Sequence, residues 1–380
     1  MKYMGSKRAM LRNGLGELLQ ETISTRTRFY DLFCGSGSVA GFVAQGFDIP
    51  VVACDLQSYA STMAAAHIEQ TECFDFDKVW ADWSHDACNW LERFPSLWQQ
   101  ALTIRPRSGI NDDWRACVTE IRALCATLPI ESFPLARAYG GYYFSFVQSL
   151  VLDALRANLP TQYRVASLAA LLDAASTCAA APGHTAQPFS TKDSALPHLA
   201  TAWSRDIASR CADALAKNAK ITARKKGRAY CCNASELVPS LNDGDLVFID
   251  PPYSEVQYSR FYHVLESISR GTVTEVSGTG RYPPISERPQ SRFCLVTESN
   301  RAFDELMKAV AATGAEAIVT FPAQAASNGM SGDVVEAISD QYFTVKKKKI
   351  SSVFSTLGGN AISRTARMTA TELVLHLAPQ

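Results

Sequence analysis

Apolar and polar positions follow two rhythms along this chain. Over the first seventy residues, and again from about residue 221, short apolar runs alternate with stretches of helical period. The short runs read as buried parallel strands and the longer stretches as the helices that cover them. A helix is expected from Met10 to Ile23, a strand opening at Phe29, a helix from Val39 to Gln45 and a strand from Ile49 to Cys54. From about Phe74 to Asn218 the alternation stops. Helical patterns run at Trp114–Thr127, Ser145–Asn158, Val165–Ala180 and Leu199–Asn218, with a loop from Pro182 to Pro197. Strands then resume at Arg228–Cys232 and Leu246–Ile249, followed by a helix, Tyr258–Ser269, and a long loop, Gly271–Phe293. A helix at Glu298–Ala312, a strand at Glu316–Phe321, a loop at Ala323–Gly332 and two strands, Tyr342–Val353 and Glu372–Leu377, complete the pattern. The last two read as a closing antiparallel hairpin, with Lys346 to Lys349 protecting its edge. The expectation is an α/β domain made of residues 1–71 and 221–380, interrupted by a helical insertion at 72–220.

The apolar run Leu246–Ile249 ends abruptly at Asp250-Pro251-Pro252-Tyr253. Neither proline has an N–H to donate, so the ladder must stop there. A carboxylate, a rigid turn and an aromatic ring thus stand at the carboxyl end of a central strand, where open α/β sheets place ligands. Such a turn suits methylation of an exocyclic amine. The N6 of adenine is a poor nucleophile because its lone pair is delocalised into the ring. Asp250 and the Pro251 carbonyl could each accept one N–H and hold that nitrogen, with Tyr253 stacked on the base. A strand-ending turn with a capping Asp uses the same residues, so the rest of the chain decides.

A second candidate is Asp31-Leu32-Phe33-Cys34-Gly35-Ser36-Gly37-Ser38, where a strand runs into a glycine turn and a helix. Glycines admit a ligand close to the backbone, and the helix start offers free N–H groups. Ala40 stands where a dinucleotide fingerprint needs its third glycine, and no G-K-[ST] follows, so dinucleotide and ATP readings are disfavoured. Asp55, ending the next strand, is placed to take both hydroxyls of a ribose. Asn233-Ala234-Ser235, after the third strand, lies where a nucleoside ring would sit.

Composition narrows the class. The 380 residues are 47% hydrophobic and 19% charged, enough to bury a core. Nothing indicates export or a membrane span, and 11 scattered cysteines without a C-x-x-C argue for a reducing cytoplasm and against a zinc site. Basic and acidic residues balance at 37 each, so a nucleic-acid partner must be sought in local patches. Candidate cations are Arg105 and Arg107 in the insertion, Lys225 and Lys226 where it ends, Arg260 on the helix after the D-P-P-Y turn, and Arg281, Arg288 and Arg292 in the long loop. Trp80, Trp83, Trp90 and Trp98, and the aromatic stretch Tyr139 to Phe146, read as core, and His263 as structural.

Three motifs together, Lys2-Tyr3-Met4-Gly5-Ser6-Lys7, Asp31 to Ser38 and Asp250 to Tyr253, resemble those of the Dam-type (DPPY) DNA adenine-N6 methyltransferases. The segment from Ser363 to Leu375 is similar to that family's ending. The resemblance covers roughly the catalytic half. It implies a class I (Rossmann-like) methyltransferase fold with a seven-stranded, mostly parallel sheet. It implies S-adenosylmethionine as cofactor, held by Tyr3, Lys7, Asp31, Phe33, Gly35, Gly37, Asp55, Ser235 and Asp250. Asp250, Pro251, Pro252 and Tyr253 would be catalytic, acting on an adenine flipped from double-stranded DNA. The motif order assigns the insertion to target recognition. A cognate restriction endonuclease is a candidate partner, and no membrane or metal is implied. One departure stands out: the family commonly has an acidic residue after the third strand, where this chain has Ser235.

The resemblance also sorts the rivals. N4-cytosine methylation usually has Ser, and protein glutamine methylation Asn, where this turn has Asp250. RNA adenine methylation and a DNA-binding relative without catalysis remain alternatives. No cysteine lies in the D-P-P-Y turn, which is against a covalent thiolate mechanism, and Cys34 reads as packing.

Overall fold

A computed structural model describes residues 7–104, 111–355 and 367–380. Tyr3, Arg105, Arg107 and the segment before Lys7 lie outside the described residues. The chain divides into two units. One, here the sheet unit, is built from the segments up to Cys73, from Ile221 to Tyr258 and from Pro289 to Gln380. The other, the helical unit, comprises Phe74–Lys220 together with Ser259–Arg288.

Among the described residues the sheet unit holds seven strands: β1 (Phe29–Asp31), β2 (Val51–Asp55), β3 (Arg228–Cys231), β4 (Leu246–Ile249), β5 (Glu316–Pro322), β6 (Phe343–Ser355) and β7 (Arg367–Pro379). Their order is β3-β2-β1-β4-β5-β7-β6. The first five are parallel, and β7 inserts antiparallel between β5 and β6. This is a mixed α/β, Rossmann-like sheet. The order reverses between β1 and β4, and β1 is registered on both neighbours, with Asp31 opposite Ala53 and Phe248. A crevice outside the carboxyl ends of strands at such a switch point is where doubly wound sheets take ligands.

Side-chain alternation divides the core between the two faces of the sheet. Val247, Ile249, Val319, Phe321 and Leu375 pack on one face with Phe303 and Met307 of the helix Ser299–Ala311. Leu246, Phe248, Ile318 and Val374 pack on the other with Val39 and Val43 of the helix Ser38–Gly46. Both faces are covered, so the central strands are uniformly apolar.

Several elements differ from the pattern reading. The expected Met10–Ile23 helix is broken: Asn13 and Gly14 leave helical geometry, with Gly14 at φ 109, and regular helix resumes at Gly16. The expected Leu199–Asn218 helix is two, Leu196–Trp203 and Ile207–Asn218, because the Asp206 side chain accepts the Ser209 N–H at 2.8 Å and starts the second. Helices Phe76–Glu92, Pro95–Thr103, Pro134–Tyr139 and Gly332–Ser339 went unread. Proline at the first turn of the second and third is their start signal.

The helical unit packs around buried rings. Trp83 is buried and its indole N–H donates to the Leu155 carbonyl at 2.9 Å. Tyr143 donates its hydroxyl to the Gly280 carbonyl at 2.9 Å, and His263 Nε2 lies 2.8 Å from the same oxygen. Burial pushes His263 down to about 4, which fits a neutral structural imidazole. Among the described residues no helix is long and apolar enough to cross a membrane.

Candidate active site

The site grows from three strand ends of the sheet unit. β4 delivers Asp250 with its side chain 16% exposed, and the two prolines after it end the ladder. Lys7 Nζ lies 3.0 Å from Asp250 Oδ1, and Thr320 of β5 donates its hydroxyl to the same oxygen at 2.8 Å. The carboxylate is therefore held from two sides. The Lys7 ammonium also stands 5.8 Å from the centre of the Tyr253 ring. The turn itself is fixed by Asn328, whose side-chain amide donates to the carbonyls of Pro252 and Phe293, each at 2.9 Å.

Asp31 ends β1 and is 1% exposed. Burial, then the charges of Asp250 and Asp55, push its carboxyl up to about 8, against backbone hydrogen bonds from Phe33 and Ala40. Its Oδ1 meets no donor among the described residues. The glycine turn follows. Gly35 and Gly37 have φ of 48 and 69, in the left-handed region. A Cβ on Gly37 would lie 2.8 Å from the Ala64 Cα, so the turn needs glycine for space as well. Phe33 stacks edge-on against Phe293 at 5.1 Å. Cys34 is buried, and burial pushes its thiol well above the ordinary range, which fits packing.

β2 delivers Asp55, whose carboxylate accepts the N–H of Gly35 at 3.1 Å and of Gln57 at 2.9 Å. Ser235 belongs to a short helix beside the end of β3, where its N–H and hydroxyl both reach Asn233 Oδ1. The acidic residue near this place is Glu236, whose side chain accepts the Asn233 N–H at 2.8 Å.

Lys7, Asp31, Gly35, Gly37, Asp55, Asp250 and Tyr253 thus gather along the carboxyl edge of β2, β1 and β4. Three contributors went unread: Thr320, Asn328 and Glu372. Glu372 of β7 is buried, and its Oε1 lies 3.5 Å from Lys7 Nζ. A polar side chain inside an apolar run was the available signal for Thr320, and a carboxylate opening the apolar run Leu373–Leu375 was the one for Glu372.

The candidate nucleic-acid cations divide between the units. In the sheet unit Lys225 and Lys226 are exposed, Lys225 lying 3.6 Å from Asp48, and Arg292 pairs with Glu298 and Glu305. In the helical unit Arg260 and Arg288 stand over the Tyr282 ring at 5.2 and 5.4 Å, and Arg281 and Arg122 over the Tyr142 ring at 4.7 and 4.1 Å. Among the described residues no group of acidic, His or Cys side chains could hold a metal ion.

The family model described as D12 class N6 adenine-specific DNA methyltransferase matches residues 153–321, a segment that includes β4 and the D-P-P-Y turn. The chain is similar to the modification methylase LlaI of Lactococcus lactis subsp. lactis, 25% identical over 289 residues, 74% of this chain and 40% of that protein. It is also similar to the type II methyltransferase M.FokI of Planomicrobium okeanokoites, 34% identical over 82 residues, 21% of this chain and 12% of that protein. The chain spans less than half the length of either relative. With Asp250-Pro251-Pro252-Tyr253 closing β4 inside the matched segment, the chain is similar over residues 153–321 to the D12 class N6 adenine-specific DNA methyltransferases.

Proposed function

We propose that this protein is a site-specific adenine methyltransferase that moves a methyl group from S-adenosylmethionine to N6 of an adenine turned out of double-stranded DNA. The observation that carries this reading is the Asp250 carboxylate, fixed by Lys7 and Thr320 beside Tyr253 at the end of β4.

The residues fit the cofactor. The Gly35–Gly37 turn leaves no room for a side chain at Gly37 and admits a ligand to the backbone. Asp31 keeps an unpartnered buried oxygen for a cationic group. Asp55 faces the turn with a carboxylate suited to a ribose. Gly35, Gly37, Asp31, Asp55 and Phe33 would hold S-adenosylmethionine, which supplies an electrophilic methyl group when bound. The chain does the rest by positioning. Asp250 and the Pro251 carbonyl accept the two N6 hydrogens and draw the lone pair out of conjugation. Tyr253 stacks on the base, and the negative charge of Asp250 steadies the positive charge that develops on N6.

The helical unit, with its arginines arrayed on Tyr142 and Tyr282, is the proposed target-recognition region. Arg260, Arg281 and Arg288 would meet phosphates or base edges there. The modification role named for the LlaI relative supports pairing with a restriction endonuclease and a cytoplasmic setting. The test is incubation of purified protein with methyl-labelled S-adenosylmethionine and DNA, with RNA in a parallel reaction, followed by nucleoside analysis. Label in N6-methyldeoxyadenosine is expected. Label in N4-methyldeoxycytidine alone, or in RNA alone, overturns the reading.

A further inference from the structure

Glu372 has no part in the reaction as derived so far. It is 1% exposed, sits on β7 opposite Pro322 of β5, and lies 3.5 Å from the Lys7 ammonium. Its second oxygen meets no donor among the described residues. Two strands therefore converge on one pair: β5 sends Thr320 to Asp250, and β7 sends Glu372 to Lys7. A buried carboxylate with half its hydrogen-bonding capacity unused is a poor device for stability. Burial first, and Asp250 after it, raise its carboxyl above the ordinary range even though Lys7 pulls the other way. Ionised Glu372 therefore weakens the fold at neutral pH, and its retention calls for another reason.

We infer that Glu372 is a positioning residue for methyl transfer, sharing the Lys7 ammonium so that Asp250 keeps an unneutralised negative charge for the adenine N6. This rests on the proposed function above. Lys7 with Asp250 alone is a neutral pair. Lys7 with Asp250 and Glu372 carries one net negative charge, held in a site where charge is poorly screened. The reaction needs that charge. As the carbon–sulfur bond breaks, its electron pair stays on sulfur, and the N6 lone pair forms the new carbon–nitrogen bond. The positive charge moves from sulfur to N6, a proton on N6 then leaves to water, and neutral N6-methyladenine remains. Asp250 faces the nitrogen as that charge appears, so a neutralised Asp250 slows the step. The other ionisable groups bearing on the trio are Tyr258, which acts on Lys7, and Asp31, which faces Asp250.

Three readouts test this on full-length protein: single-turnover methylation of duplex DNA, S-adenosylmethionine affinity by calorimetry, and melting temperature without cofactor. Glu372→Gln keeps the shape and removes the charge. It is expected to slow transfer by about tenfold or more, to change cofactor affinity less than about threefold, and to melt no lower than the wild type. Glu372→Asp restores the charge and is expected to recover most of the rate. The inference is overturned by a Gln variant that transfers at the wild-type rate, by one that loses rate and melting temperature together, or by equal losses in the Asp and Gln variants. A wild type that methylates no DNA adenine sinks the proposed function instead.

Discussion

Asp31 and Asp153 are both buried carboxylates that burial pushes up to about 8, one in each unit, yet their surroundings differ in kind. Asp153 accepts the N–H groups of Leu135 and Ala136, at 3.0 and 2.8 Å, one on each oxygen. It caps the Pro134–Tyr139 helix from a distance. Asp31 has an oxygen with no donor among the described residues, and it faces two further carboxylates, Asp250 and Asp55. A group whose partners are complete holds structure together. A buried group left incomplete, with like charges around it, is a place prepared for a ligand. The raised pKa alone does not separate the two; the hydrogen-bond inventory does.

Substitutions can break or sharpen that contrast. The largest effect is expected at the centre of the incomplete cluster. Asp250→Ala should lower methyl transfer by at least about 10²-fold while leaving the fold and most cofactor affinity in place, read by single-turnover assay and calorimetry. Asp153→Ala should do the reverse. It strands two buried N–H groups, each at about 1–3 kcal/mol, so urea unfolding should lose about 2–6 kcal/mol. A loss under about 0.5 kcal/mol would erase the distinction. Gly37→Ala comes next. Its φ of 69 and the 2.8 Å approach of the Ala64 Cα strain any side chain, so stability should fall by more than about 1 kcal/mol and cofactor binding weaken.

The last expected effect is a slope. Between the ordinary carboxylate range and about 8, the folded, cofactor-free protein holds a proton on Asp31 that the unfolded chain has released. Stability from that proton is complete at low pH and is lost as pH rises toward 8. Asp31→Asn should flatten the fall by at most about 1.4 kcal/mol per pH unit. Melting curves from pH 5 to 8 would read it, and an unchanged slope would mean that Asp31 is not the proton carrier.

The sheet was legible because its central strands are buried on both faces and read as apolar runs. Leu246–Ile249 is the clearest, with the same bounds in the sequence reading and the structure. The D-P-P-Y and glycine turns were legible because their chemistry is local in sequence. The pairing of Glu372 with Lys7, 365 positions apart, was not, since only the insertion of β7 beside β5 brings them together. The short helices at Pro95 and Pro134 were hidden by aromatic residues that carry no clear period. The Leu199–Asn218 stretch is two helices because Asp206 caps the second, and a capping Asp between two helical patterns does not interrupt their period.

The most direct test of the account is expression of the protein, and of its Asp250→Ala variant, in a host without adenine methylation, with modified-base sequencing of the DNA. N6-methyladenine at one short motif with the wild type, and none with the variant, is the predicted result. Unmodified DNA from soluble wild-type protein that binds S-adenosylmethionine, or methylation by the Asp250→Ala variant, would contradict it.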